Sequence, residues 1–124
     1  MDETAKRIVA VDLFVALSNV GTGLVIADTF PAAAEYAWVG VAVAVLATVL
    51  VAASDRSRAG MWVLVGVGTF GILALLVGWA TDTMPMSAAP PMMVGMGVGL
   101  GLHRLVFGVL GPVPDVRRAR QQSG

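Results

Sequence analysis

Three ionisable side chains fall within the long apolar runs of this chain, and they are its candidates for chemistry: Asp12, His103 and Arg104. An ionisable group inside a membrane is energetically costly, so it usually has a partner or a function. Asp12 lies about 7 Å from the start of the first apolar run and Arg104 about 10 Å from the end of the fourth, at a rise of ~1.5 Å per residue. This shared depth predicts an ion pair between Asp12 and Arg104, with His103 as the alternative partner.

Two other interpretations of these residues stay open. Asp12 can reach headgroup water while Arg104 extends separately to lipid phosphates, in which case no pair forms. A proton or ion path could instead use the face of the first apolar run that carries Asp12, Ala16, Asn19 and Gly23. Such a path normally has polar groups on several helices, but the second and third runs offer only Thr48 and Thr69. Packing between helices is therefore the favoured role of this face.

The residue patterns of known enzyme sites are missing from the sequence. One histidine and no cysteine exclude multi-histidine and thiolate metal sites. No glycine loop precedes a Lys-Ser/Thr pair, no serine elbow is present, and the alternating glycines of 95–101 follow no strand. We therefore expect a protein that is not an enzyme, with no catalytic residues, no bound metal and no cofactor.

The elements that position these residues follow from composition. Hydrophobic residues make up 57% of the 124-residue chain and charged residues 13%, whereas soluble domains have about 45–50% and 25%. Apolar runs at 8–28, 36–53, 61–81 and 91–111 each approach the roughly 20 residues that cross a bilayer. The sequence predicts an all-α membrane protein, in which residues 1–124 form a single membrane domain of four transmembrane helices arranged as two helical hairpins.

The basic residues lie on one side of this pattern. They precede the first run, fall between the second and third, or end and follow the fourth: Lys6, Arg7, Arg56, Arg58, Arg104, Arg117, Arg118 and Arg120. Basic residues near the ends of membrane spans stay cytoplasmic. We therefore expect a multi-pass protein with both termini on the cytoplasmic or interior side.

The start of the chain also has features of a signal peptide. Lys6 and Arg7 precede an apolar run, and the small residues Ala32, Ala33 and Ala34 follow it. The run of about 21 residues is longer than the usual 7–15 of such peptides. Retention of residues 1–34 is therefore expected, and cleavage is the alternative.

Small residues predict where the helices approach one another. Lipid gives no hydrophobic gain for helix association, so membrane helices pack closely through glycine, alanine and threonine. The candidate packing residues are Gly40, Ala44 and Thr48 in the second run and Gly95, Gly97, Gly99 and Gly101 in the fourth. Because the glycines of the fourth run cover much of its circumference, we expect it either to be central in the bundle or to mediate self-association.

The tail 112–124 is the most basic segment. It contains Arg117, Arg118 and Arg120, and arginine next to a membrane attracts anionic headgroups by about 1 kcal/mol each. The same charges could contact nucleic acid held against the inner surface, or only set the orientation. The tail thus predicts a basic inner surface with anionic lipid or nucleic acid as possible partners.

Three classes of function are compatible with these features. The first is a non-enzymatic structural membrane protein with its basic face inward, the second a small oligomeric channel or transporter, and the third an accessory subunit of a larger membrane complex. Small four-helix multidrug exporters have an essential membrane glutamate that has no counterpart here. The structural class is therefore favoured.

In size, helix number, orientation and halophile-like composition, with seven arginines against one lysine and six aspartates against two glutamates, the whole chain resembles a known viral family. It looks like the small internal membrane protein of haloarchaeal pleomorphic viruses, the pleolipoviruses. The resemblance implies a structural protein of the virion envelope in an archaeal host, with a spike protein outside and the genome inside. A host-cell membrane protein is the alternative.

Overall fold

The computed structural model describes residues 2–123, which form helices and turns and contain no strand. The α-helices are α1 (Glu3–Ala27), α2 (Ala37–Arg56), α3 (Arg58–Ala80), α4 (Ala89–Arg104) and α5 (Asp115–Ser123). Four helical segments are long and apolar enough to cross a membrane: Glu3–Ala27, Pro31–Arg56, Arg58–Ala80 and Met86–Leu110. The prediction of an all-α, four-span fold is confirmed, and the chain is a multi-pass integral membrane protein in contact with lipid.

Capping residues extend the helices beyond the apolar runs. The Asp2 carboxylate accepts a hydrogen bond of 2.7 Å from the Ala5 N–H, which satisfies one of the free amides at a helix start. Helix α1 therefore begins at Glu3 rather than near residue 8. Hydropathy marks where a helix becomes apolar, and the cap marks where it begins.

The turn between α2 and α3 is a single residue, Ser57, although the apolar runs predict a gap from 53 to 61. Ser57 is extended, with φ −156° and ψ 156°, and its Oγ accepts a 2.8 Å hydrogen bond from the Gly60 N–H. Helix α2 consequently continues to Arg56. Asp55 thereby belongs to the last turn of a membrane helix instead of a loop.

The fourth span changes its helical form after Arg104. Helix α4 ends there, and a π-helical segment, Leu105–Leu110, completes the span with non-helical angles at Phe107 (φ −107°, ψ 48°). The Phe107 carbonyl accepts a 3.2 Å hydrogen bond from Nη1 of Arg104. The single predicted helix 91–111 is therefore two segments that meet at the buried arginine.

Helix α4 occupies the centre of the bundle. It packs against α1 on one side and against α2 on the other, and α3 packs on the far side of α2. The main contacts thus run in the order α1, α4, α2, α3. The helices of each predicted hairpin, α1 with α2 and α3 with α4, follow one another in sequence but do not pack mainly on each other. Helix α4 lies between α1 and α2, and α2 lies between α4 and α3.

The glycines of α4 divide between these two contacts. A Cβ at Gly95 would fall on the Gly40 carbonyl, and one at Gly99 on the Ala44 carbonyl, so both face α2. The other pair faces α1: a Cβ at Gly97 would meet the Ala16 carbonyl, and one at Gly101 would lie 3.3 Å from the Ala16 Cβ. Each overlapping glycine pair thus serves one neighbour.

A threonine adds a polar contact to the interface between α4 and α2. Thr48 Oγ1 donates to the Ala44 carbonyl at 2.8 Å and lies 3.3 Å from the Gly99 carbonyl. The seven residues predicted from their size to pack helices all lie at the contacts of α4. The structure uses them within one chain, as the central position of α4 requires.

Substitution of Gly95 by alanine tests this contact. We expect Gly95→Ala to lower the free energy of unfolding by on the order of 1–3 kcal/mol, because overpacking forces the backbones apart. Gly66 is the matched control, since a Cβ there meets nothing within 4 Å. Gly66→Ala should leave stability unchanged or raise it by up to about 1 kcal/mol, because alanine favours helix. Denaturant titration in mixed micelles measures both, and equal effects would contradict the packing.

Candidate functional site

Five ionisable side chains from four helices meet where α1, α2 and α4 converge towards the end of the bundle that holds both termini. This group is called the ion-pair cluster and consists of Asp12, Asp55, His103, Arg104 and Arg117. Helix α1 supplies the first, α2 the second, α4 the next two and α5 the last. It includes the three residues singled out from the sequence.

Arg104 is the centre of the cluster and is fully buried. Its Nε donates to Asp12 Oδ2 at 2.9 Å, and its Nη2 lies 2.8 Å from the same oxygen. Nη2 also donates to Asp55 Oδ1 at 3.0 Å, while Nη1 lies 2.9 Å from Asp55 Oδ2. Together with the Phe107 carbonyl, these acceptors engage every nitrogen of the guanidinium group. The structure brings the predicted Asp12–Arg104 pair together and adds a second carboxylate.

Asp55 is the most buried carboxylate of the cluster, with a side chain that is 2% exposed, against 15% for Asp12. It lies at the C-terminus of α2, where the helix dipole disfavours negative charge. Arg104 lies at the C-terminus of α4, where the dipole favours positive charge. Arg104 therefore compensates both the burial and the unfavourable position of Asp55. It does so through a bidentate contact of the kind that arginine makes with carboxylates.

His103 contacts Asp55 rather than Asp12, its predicted alternative partner. Its Nε2 lies 3.1 Å from Asp55 Oδ2, and its ring packs on Phe107 with centroids 4.9 Å apart. A carboxylate oxygen accepts, so Nε2 is the donor of this hydrogen bond. His103 thus fixes the orientation of the Asp55 carboxylate.

Arg117 brings the C-terminal helix α5 to the cluster. Its Nη2 lies 3.7 Å from Asp12 Oδ1 and its Nε lies 3.8 Å from Asp55 Oδ1. The two carboxylates are then matched by two guanidinium groups. A cluster with balanced charge is the form in which ionic groups are tolerated at membrane depth.

The other two arginines of α5 also contact their own chain. Arg118 pairs with Asp2 at 3.0 Å and with Asp115, and Arg120 donates to the Ser54 carbonyl at 2.7 Å. These contacts attach α5 to the first residue before α1 and to the last turn of α2.

The ionisation of these groups reflects the same contacts. The Ala5 N–H, and after it Arg118, hold the pKa of Asp2 below its usual value. Hydrogen bonds to Asp115 and Asp2 raise the pKa of Arg118, whereas burial lowers that of Arg120. Each shift follows from contacts within one chain.

The predicted basic surface therefore differs from the one observed. Arg117 and Arg118 have side chains only 26% and 34% exposed, because both turn towards carboxylates of the chain. The exposed basic residues of this end are Lys6, Arg7, Arg56 and Arg58. They lie on α1, α2 and α3 and form a more dispersed surface than the tail alone suggested.

Asp55 is the site residue that sequence reasoning missed, because it was assigned to a loop. A signal was present in the sequence. The small residues of α2 recur at 40, 44, 48 and 52, and Asp55 continues that face by one more turn. A carboxylate on this face would have been expected to meet Arg104.

The arrangement of the cluster is that of a helix-joining network. No group of three or more His, Asp or Glu suited to a metal ion occurs among residues 2–123. Arg104 joins α1, α2 and α4, and Arg117 adds α5.

A double-mutant cycle tests this network. Removal of one partner of a buried ion pair leaves an uncompensated charge, so Asp55→Asn should lower the free energy of unfolding by about 3–5 kcal/mol. Asp12→Asn should lower the free energy of unfolding by less, because Arg104 still has Asp55 as its partner. The double variant Asp55→Asn with Arg104→Gln should cost less than the sum of its parts. Asp28→Asn, at an exposed site beyond the other end of α1, is the control, and additive single effects would contradict the network.

Comparisons with known proteins give no match. No protein-family model matches the chain, and no curated protein and no solved structure shows significant similarity to it.

Proposed function

We propose that this chain is a non-enzymatic structural protein of a membrane. The observation that carries the proposal is the closed ion-pair cluster, in which Arg104 is fully buried and every nitrogen of its guanidinium group has an acceptor. Groups that bind or transfer a substrate have to be reachable by it. The charges of this cluster instead hold helices together.

The arrangement of the contacts between the helices supports the same role. Small residues set the spacing of α4 from α1 and α2, and ion pairs fix the relative position of these helices near the end that holds the termini. Helix α5 covers that end through contacts from Arg117, Arg118 and Arg120. Such a bundle is suited to occupying a bilayer stably and to presenting short polar ends.

One observation favours a second candidate, a small channel or proton-coupled transporter. The pair of His103 and Asp55 is buried, and histidine changes its charge near neutral pH. A titratable pair at membrane depth is a feature of proton paths. Measurement of flux separates the two candidates.

The flux experiment uses purified protein in liposomes that contain a pH-sensitive dye. Under an imposed pH gradient, we expect proton flux equal to that of protein-free liposomes. The reason is that the titratable groups of the ion-pair cluster are paired with one another. His103→Ala is the matched variant, and it should show the same baseline. Flux above the baseline that His103→Ala abolishes would reject the structural role in favour of the channel.

We further propose that both termini face the cytoplasm, or the interior of an enveloped particle. The exposed basic residues Lys6, Arg7, Arg56 and Arg58 lie at the end that holds the termini, and the distribution of basic residues predicts orientation. The resemblance to pleolipovirus membrane proteins supports an envelope in which this end meets the genome and the other end meets a spike protein.

Single-cysteine labelling tests this orientation, because the natural chain contains no cysteine. We expect Thr29→Cys, in the exposed turn after α1, to react with a membrane-impermeant maleimide on sealed right-side-out vesicles. Gln121→Cys, exposed in α5, should react only after permeabilisation. The same pattern on purified enveloped particles would support the virion location, and labelling of Gln121→Cys from outside would reverse the orientation.

A further inference from the structure

A crevice runs between α1 and α2 over one face of α4, because these two helices pack on α4 rather than on each other. Near the terminal end, the ion-pair cluster fills it: Arg104 bridges Asp12 of α1 and Asp55 of α2. Towards the opposite end, the crevice widens into a cavity of about 490 Å³. The ion-pair cluster thus fills one half of the crevice, and the cavity is the other half.

The cavity exists because its walls carry small side chains. Five of the lining residues are alanine or glycine of the flanking helices: Gly23, Ala27, Ala37, Gly40 and Ala44. The wall from α4 includes Pro90 and Pro91, which have no backbone N–H to offer. The lining side chains carry no charge and no hydrogen-bonding group. An apolar cavity of this kind does not hold water.

The surroundings of the cavity determine what can enter it. Phe30 and Pro31, in the turn that follows α1, line one end. Ala37 and Val41 line it and are exposed within the second span. The opening therefore faces sideways, where the medium is the hydrocarbon of the bilayer.

The shape and chemistry of the cavity fit a lipid chain. The cavity extends along α4 from Pro90 to Val98, about 12 Å at a rise of ~1.5 Å per residue. Its lining is apolar over that whole length, and the medium at its opening is hydrocarbon. A hydrocarbon chain of the bilayer therefore meets the opening with matching chemistry.

We propose that this cavity is a binding site for one hydrocarbon chain of a membrane lipid. The chain enters between α1 and α2 from the side and lies along α4, and its contacts replace the packing that α1 and α2 do not make with each other. The ion-pair cluster limits how far the chain can reach. This site is independent of the proposed structural function and would serve a transporter equally.

Native mass spectrometry of the delipidated, detergent-solubilised protein tests the site, with dioleoyl phosphatidylglycerol and dioleoyl phosphatidylcholine as probes. We expect one lipid per protein molecule, with similar affinity for both lipids, because the oleoyl chain that they share is recognised rather than the headgroup. The double variant Ala27→Leu with Ala37→Leu fills the cavity and should weaken binding at least about tenfold, or 1.4 kcal/mol. Ala42→Leu, on the same helix at an exposed position outside the lining, should bind as the natural chain does.

Circular dichroism confirms that the variants are folded, and Val41→Phe at the open mouth provides a second substitution. Equal retention of lipid by Ala42→Leu and by both filled variants would overturn the proposal. So would a strong preference for one headgroup, or dissociation of a dimer upon filling, since the last result would assign the cavity to a second copy of the chain.

Discussion

A single buried cation constrains the rest of this bundle. Arg104 is at membrane depth and has no access to solvent, so each of its nitrogens must find an acceptor within the protein. Asp12 and Asp55 supply the charge and the Phe107 carbonyl supplies the remaining acceptor. Because these three partners come from α1, α2 and the continuation of α4, the position of one side chain sets the relative placement of three membrane spans. The break from α-helix to π-helix follows directly after it.

The glycines of α4 make that arrangement possible. An arginine can contact carboxylates on both neighbouring helices only if the backbones approach closely, and Gly95, Gly97 and Gly99 leave no side chain in the way. In a membrane, close packing and polar contacts are the forces available for association of helices. Here both act along α4, with packing through its middle and ion pairs at its end. Helix α3 takes part in neither and packs mainly on α2, which leaves most of its apolar surface to lipid.

The sequence was sufficient for the spans, for the small-residue contacts and for the depth of Asp12 and Arg104, since each depends on local composition or on a rise per residue. It was insufficient for Asp55, because hydropathy could not show that one extended residue, Ser57, would replace a loop and keep Asp55 helical. It also did not show that the C-terminal arginines contact carboxylates and a helix end of the same chain. A basic tail suggests an open surface, but whether it folds back depends on the carboxylates and helix ends that the fold brings within reach. Those are long-range relations that no local pattern encodes.

The central position of α4 has a consequence for biogenesis. The ribosome delivers α1, α2 and α3 before α4, so the helix that separates α1 from α2 enters a bilayer in which its neighbours are already present. Until then Asp12 and Asp55 are two carboxylates without their cation, and direct association of α1 with α2 would bring like charges together. Such repulsion would disfavour direct contact between α1 and α2 before α4 is inserted. The same residues that hold the finished bundle together would thus oppose its premature closure during assembly.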